Sequence, residues 1–258
     1  MKSDSYIRFL GTAGARFVVA KQLRSSAGTF LHLKGHNIIL DPGPGTLVEC
    51  ARSKPLIDVH NLEAIILTHA HIDHTNDANI LIDAMTSGGL ERRGFLFAPD
   101  DCINGENSIL LRYLQTYLEN IVVLRANQSY SIEDLSFSTS LRHCHQVETY
   151  GLIFDVYGRR ISFLPDTKYF PELTNSYVNS DVLVLNVVRS VPDETRDVMH
   201  LCIRDVANIL TQLKPSKAII THFGMTMIKT NPFKVADELS KMIGIEVTAA
   251  FDGMTVEL

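Results

Sequence analysis

Hydrophobic and polar positions outline a chain of short strands followed by alternating strands and helices. Residues 6–10 read as a strand that enters the small-residue loop Gly11-Thr12-Ala13-Gly14-Ala15. Strand patterns over 29–33 and 37–40 predict a hairpin around Lys34-Gly35-His36. The second strand must stop at Asp41-Pro42-Gly43-Pro44-Gly45, where two prolines and two glycines forbid regular structure and leave Asp41 on a stiff loop. Ala64-Ile65-Ile66-Leu67-Thr68 is nearly all apolar, as in a strand buried on both faces. Helical patterns follow over 77–85, ended by Gly88-Gly89, and over 107–119, where apolar residues recur at three- and four-residue intervals. Strands are predicted over 135–141, 150–157 and 160–164, forming a meander with a turn at Gly158-Arg159. A strand over 181–188, a helix over 203–213, a strand over 218–221 and a helix over 233–243 come next. Strands over 245–250 and 254–258, parted by Asp252-Gly253, close the chain.

Runs of strands first and βα alternation later fit two packed sheets covered by helices better than one doubly wound sheet. The 258 residues, 45% of them hydrophobic, suit one large α/β domain over 1–258. There is no repeat, low-complexity tract or linker. A formal charge of -5 and a pI near 6.0 offer no overall attraction for nucleic-acid backbones or anionic lipid. Neither a secretory leader pattern nor an apolar run of membrane-spanning length is present, so no membrane partner is expected. Cys50, Cys102, Cys144 and Cys202 lie too scattered for a disulfide framework, which suits free thiols in a reducing cytoplasm. The loop over 11–15 lacks both the GxGxxG spacing and the Lys-Ser/Thr pair of a phosphate-cradling loop.

Chemistry concentrates in His69-Ala70-His71-Ile72-Asp73-His74, four strong ligand types within six residues at the end of a predicted strand. Backbone that turns at a strand end can bring residues two apart to one point. Imidazole nitrogens suit zinc and iron, and the carboxylate of Asp73 can bind a harder ion or orient a ligand. The competing reading is a solvated loop with Asp73 or Thr75 as helix N-cap, but three histidines and an aspartate at this spacing favour metal.

That string resembles the HxHxDH motif of the metallo-β-lactamase superfamily, and the resemblance continues in order along nearly the whole chain. Asp41 is similar to the first-motif aspartate, His145 in His145-Gln146-Val147-Glu148-Thr149-Tyr150-Gly151 to the third-motif histidine, and His222 to the fifth-motif histidine. Asp166 in Leu164-Pro165-Asp166-Thr167 resembles the family's Gly-Asp-Thr with proline for glycine, and Asp252-Gly253-Met254 resembles a C-terminal signature. The resemblance implies an αββα four-layer sandwich, with two divalent metal ions at the edge of its sheets. By motif position His69, His71 and His145 hold one metal, Asp73, His74 and His222 the other, and Asp166 bridges them. Zinc is the expected ion, with manganese or iron as alternatives. A hydroxide shared by the two ions then serves as nucleophile. Asp41 takes a supporting role, orienting a ligand histidine, unless it is only an Asp-Pro turn residue. His143 competes with His145, although the Tyr-Gly spacing favours His145. For Asp166 the alternative is capping the segment over 168–173, and His32, His36 and His60 read as structural or solvated.

The superfamily covers many reactions, so the substrate must be argued from other residues. Phe9-Leu10-Gly11-Thr12 and Met199-His200-Leu201-Cys202-Ile203-Arg204-Asp205 resemble the branch containing ribonuclease Z and the phosphonate-pathway cyclic phosphodiesterase. In that branch a histidine before a helix lies near the scissile phosphate, and His200 matches its position without the His-Ser-Thr pattern. His200 is therefore a candidate general acid, and equally a polar residue before a helix. The interval between His145 and Asp166 leaves no room for a tRNA-clasping arm, so a small or short phosphodiester is the expected substrate. A lactonase, a thioesterase and a metal-containing binding protein remain the alternatives. Arg16, Arg24, Ser25 and Ser26 could bind phosphate if their loop reaches the site, but the solvated-loop reading is preferred. The oligomeric state is left open, a homodimer included.

Overall fold

The computed structural model describes residues 4–106, 108–193, 195 and 198–258. Its first sheet contains β1 (Tyr6–Phe9), β2 (Thr29–Leu33), β3 (His36–Leu40), β4 (Ala64–Ile66), β5 (Phe95–Pro99) and β6 (Asn120–Leu124) in sequence, with β14 (Thr255–Glu257) beside β1. The second contains β7 (Ser129–Ile132), β8 (Leu135–Arg142), β9 (Tyr150–Val156), β10 (Arg159–Leu164), β11 (Val182–Asn186), β12 (Lys217–Thr221) and β13 (Glu246–Ala249). Each sheet is antiparallel on one side and parallel on the other, with the change at β3 and at β10. The hairpins are made by left-handed residues at their tips: Lys34 and Gly35 at φ 53° and 89°, Tyr157 and Gly158 at 54° and 78°.

Helices α1 (Ala15–Ala20), α2 (Thr46–Arg52), α3 (Ile72–Thr75), α4 (Ala78–Met85), α5 (Asp100–Ile103), α6 (Ile203–Leu213), α7 (Met225–Thr230) and α8 (Pro232–Ile243) complete the layers. Strand side chains alternate between faces, so one strand feeds two cores. Ile66 joins Phe9, Phe137 and Phe163 between the sheets, whereas its neighbour Ile65 packs outward with Leu81 and Met85 of α4. A third core sets Leu183 and Leu185 of β11 against Val206, Ile209 and Leu210 of α6 and Val235 and Leu239 of α8. Three buried cores separate four layers, as the αββα reading expects. Each such side chain contributes roughly 1.5–3 kcal/mol by burial.

The predicted helix over 107–119 is a correction. Asn107 lies outside the described residues, and the rest contains only a short 3-10 turn, Arg112–Thr116. The side chain of Asn79 on α4 accepts from the backbone N–H of Leu111 (3.0 Å) and donates to the carbonyl of Ile109 (2.8 Å), taking backbone groups that a helix would use. Leu110, Leu114 and Leu118 are still buried, so the apolar spacing reports burial and not helix. All four cysteines are free, three of them buried, and burial pushes the thiol of Cys50 up to about 12. Among the described residues no helix is long and apolar enough to cross a membrane.

Candidate metal centre

The chemistry-bearing residues gather where parallel strands of both sheets end. Asp41 follows β3, His69 lies three residues past β4, Asp166 follows β10 by two residues, Asn186 ends β11, and His222 follows β12. Side chains placed there can converge across the sandwich, as ligands commonly do at the carboxyl ends of parallel strands. Two positions need unusual backbone, Asp41 at φ 49° and His222 at φ 61°, conformations disfavoured for residues with a Cβ. Both are held by close packing from outside. A Cβ on Gly28 would lie 2.5 Å from the carbonyl oxygen of Asp41, and one on Gly14 would lie 2.1 Å from that of His222. The small-residue loop over 11–14 straps this second turn: Phe223 N–H donates to Thr12 (2.8 Å) and Gly14 N–H to Phe223 (3.0 Å).

A hydrogen-bond chain fixes which imidazole nitrogens face the centre. Asp41 accepts from the backbone N–H of Thr68 (2.7 Å) with Oδ1 and from its hydroxyl (2.6 Å) with Oδ2. The hydroxyl has then given away its proton, so at 2.9 Å it must accept from His69 Nδ1–H. His69 Nε2 is left as a buried lone pair without a hydrogen-bond partner. Asp41 Oδ2 also accepts from His74 Nδ1 at 3.0 Å, and the carbonyl of Met199 accepts from His145 Nδ1 at 3.0 Å. In both residues Nε2 is turned inward: that of His74 lies 2.9 Å from His222 Nε2, and that of His145 lies 3.1 Å from His71 Nδ1.

Potential ligand atoms fall into groups whose members lie within 4.8 Å of one another: His69, His71, His145 and Asp166 in one, Asp73, His74 and His222 in another. Asp166 reaches into both, its carboxylate lying 3.9 Å from His69, 3.7 Å from His74 and 3.4 Å from His222, while Asn186 donates to Oδ1 at 2.9 Å. A further grouping of Asp41, His69 and His74 reflects Asp41's place behind the two histidines.

Burial holds His69 well below the ordinary imidazole value and lowers His71, and it brings His145 down to about 4. Burial opposes charge on Asp166 as well, but His222 and His200 outweigh it and keep the carboxyl ionised. Burial would also lower His74, yet the charges of Asp73 and Asp41 raise it well above its ordinary value. Imidazoles kept neutral at His69, His71 and His145, the ionised carboxylate of Asp166 and the orphaned Nε2 of His69 turn lone pairs toward one centre. That donor set fits divalent metal ions.

All seven residues expected as ligands therefore come together. His143 does not join them: it is buried, with Nε2 2.8 Å from the hydroxyl of Tyr177 and Nδ1 facing the carbonyl of Asp166 at 3.3 Å. His200 stands at the rim, its Nδ1 buried, without a hydrogen-bond partner and 3.7 Å from Asp166 Oδ2. Burial lowers its pKa against the opposing charge of Asp166, and the N-cap of α6 is Cys202, not His200.

Arg24 and Ser26 depart from the expected solvated loop. Arg24 is half-buried, donates to Thr12 (3.0 Å) and Ala250 (3.3 Å) and lies over Phe223, while Ser26 is buried. Ser25 N–H donates to Asp252 at 2.7 Å, tying that loop to the C-terminal turn, and Arg16 is exposed. His32, His36 and His60 lie elsewhere, against Asn37, Glu63 with Asp134, and Ser87 with Glu91. Thr68, Asn186, Tyr177 and the carbonyl of Met199 were not singled out from sequence. Only Thr68, directly before the first histidine, carried a positional cue.

A four-layer αββα sandwich with this cluster at its strand ends defines a metallo-β-lactamase-type hydrolase fold. The chain belongs to the beta-lactamase superfamily domain family, which it matches over residues 36–223. It is 29% identical to an uncharacterized protein of Methanocaldococcus jannaschii, covering 98% of this chain and 94% of that protein. It is 34% identical to the ribonuclease Z of Methanopyrus kandleri over 29% of this chain and 25% of that one. Among solved structures, the metallo-beta-lactamase fold protein YhfI from Bacillus subtilis aligns with a TM-score of 0.81 at 16% identity, covering 98% and 99% of the two chains. A diphosphatase from the PhnP family aligns with a TM-score of 0.72 at 18% identity, covering 98% and 97%. At these identities the likeness is one of fold.

Proposed function

We propose that this protein is a dinuclear metal-dependent phosphodiesterase acting on small or short phosphodiesters. The observation that carries the reading is the pair of donor groups sharing Asp166, with the imidazole of His200 beside the same carboxylate. His69, His71 and His145 would hold one ion, Asp73, His74 and His222 the other, with Asp166 common to both. Bound divalent ions would supply Lewis acidity, making water a nucleophile near neutral pH and offsetting charge that develops on phosphorus oxygens. Asn186 holds Asp166 in place from behind, and Asp41 fixes the ring of His74. Asp73 would ligate one ion and steer the attacking water. As water adds to phosphorus and the P–O bond to the leaving alkoxide breaks, His200 gives that oxygen a proton. The carboxylate of Asp166, 3.7 Å away, favours the protonated form that does so, against the effect of burial.

The substrate size follows from the hairpin between His145 and Asp166. β9 and β10 join through a tight turn at Tyr157-Gly158, so no arm projects from this interval to clasp a tRNA. The net charge of -5 also disfavours a long polyanion. Zinc is the ion expected, with manganese or iron meeting the same donors. The reading is tested on the metal-loaded protein with bis-p-nitrophenyl phosphate, cyclic nucleotides, a lactone, a thioester and a pre-tRNA. Phosphodiesters should give the highest kcat/KM. A lactone or thioester turned over about a hundredfold faster, a difference near 2.7 kcal/mol in transition-state stabilisation, would replace this reading with a C–O or C–S hydrolase.

A further inference from the structure

His143 and Tyr177 are two large polar side chains buried beside the centre, and neither belongs to its donor groups. Burying such groups is tolerable only where each finds a partner. Burial keeps the ring of His143 neutral, so it carries a single proton. The carbonyl of Asp166 can only accept, and its contact at 3.3 Å places that proton on Nδ1. Nε2 is then a lone pair, to which the hydroxyl of Tyr177 donates at 2.8 Å. The relay runs from hydroxyl to imidazole to carbonyl, and it ends on the main chain of the residue whose carboxylate reaches both donor groups.

Two further observations show that this relay is built in. Beyond His143, Cys144 N–H donates to the hydroxyl of Thr167 at 3.2 Å, and Lys168 N–H donates to the carbonyl of Cys144 at 2.9 Å. Residues 143 and 144 thus hold residues 166, 167 and 168 in turn, and the next residue, His145, is itself a donor. On the other side, a Cβ on Gly151 would collide with the hydroxyl of Tyr177, so the glycine after Tyr150 leaves the room that this hydroxyl needs. We propose that His143, held by Tyr177, is a positioning residue that fixes Asp166 through its main-chain carbonyl, so that one carboxylate can serve both donor groups. Asn186 restrains the same residue at its carboxylate, and His143 restrains it at its peptide. The proposal rests on the metal-binding part of the reading above and not on the substrate.

Zinc titration by calorimetry and nitrogen NMR of the full chain with isotope-labelled histidine test it together. In the wild type His143 should be the Nδ1–H tautomer; the Nε2–H tautomer overturns the proposal, because Nδ1 would have no proton to give. His143→Leu should weaken zinc binding about ten- to a hundredfold, and Tyr177→Phe, which removes one oxygen, about three- to tenfold. His143→Asn should recover most of the loss, since its amide can donate from near the place of Nδ1. A lower Tm with wild-type zinc affinity in either His143→Leu or Tyr177→Phe is what a purely structural pair would give, and it overturns the proposal. So does a loss that His143→Asn leaves unrepaired. Should His143→Leu not fold, the wild-type tautomer and Tyr177→Phe decide. If the wild type binds no zinc, the metal reading fails by itself. The anchor on Asp166 is then judged on the ring nitrogens of the metal-free chain, where Nδ1–H supports it and Nε2–H overturns it.

Discussion

At Thr68 a single hydroxyl donates to Asp41 and receives from His69, so one side chain sets the tautomer of a ligand-type histidine that is itself fully buried. Asp41 does the same for His74 directly. His200 is governed differently, since its buried Nδ1 faces only the carboxylate of Asp166 at a distance too long for a hydrogen bond. If His200 supplies the leaving group's proton, His200→Ala should keep its metal content and lose roughly 10²- to 10⁴-fold in kcat with a poor leaving group. With p-nitrophenolate, which scarcely needs a proton, the loss should shrink sharply. An equal loss across leaving groups would assign His200 to phosphate binding instead. The residues that gather at the centre were legible in the sequence because histidines and aspartates at strand ends carry a spacing. Thr68, Asn186 and Tyr177 were not, since a residue that acts through one hydrogen bond leaves no periodic trace. The preference for His145 over His143 came from the Tyr-Gly spacing, and in the structure the two, two residues apart, turn to His71 and to Tyr177.

At the scale of elements, the loop over 11–14 works as a strap beneath the turn that presents His222. Its spacing and the lack of a Lys-Ser/Thr pair argued against a nucleotide cradle, and what its small residues allow is backbone contact with a strained neighbour. Gly14→Ala should push on the carbonyl of His222, destabilising the fold by roughly 1–3 kcal/mol as other overpacked sites do. Metal affinity should fall along with stability. Thermal denaturation with and without added zinc would measure both, and a variant matching wild type in both would refute the strap. Strand–turn–strand units and the helices α6 and α8 were readable from period and turn chemistry. The segment over 107–119 was misread because its leucines keep a helical spacing while Asn79, distant in sequence, claims the backbone groups.

Across the whole molecule, the two sheets meet at the centre and again at a distant edge. There His36 on β3 lies 2.6 Å from Glu63 and 2.7 Å from Asp134 on the β7–β8 turn. Burial opposes its protonation, but Asp134 and Glu63 raise His36 above its ordinary 6.5, and His36 with Lys34 draws Asp134 down to about 2. The raised histidine contributes stability that is complete below 6.5 and lost as pH climbs through its folded value; the depressed aspartate contributes above 3.8 and is lost as pH falls toward 2. The Tm advantage of wild type over His36→Gln should thus be widest between those ordinary values, 3.8 and 6.5, and narrow at alkaline pH. A constant difference would deny the link. The layer order was legible from strands in runs followed by βα alternation, whereas this edge contact, joining residues 36 and 134, left no sequence signal. The central claim concerns the metals, and elemental analysis of the protein after reconstitution with zinc, manganese or iron addresses it most directly. About two ions per chain are predicted for wild type, with metal and nearly all activity lost in His69→Ala and in Asp166→Ala; a wild-type protein that retains none would contradict it.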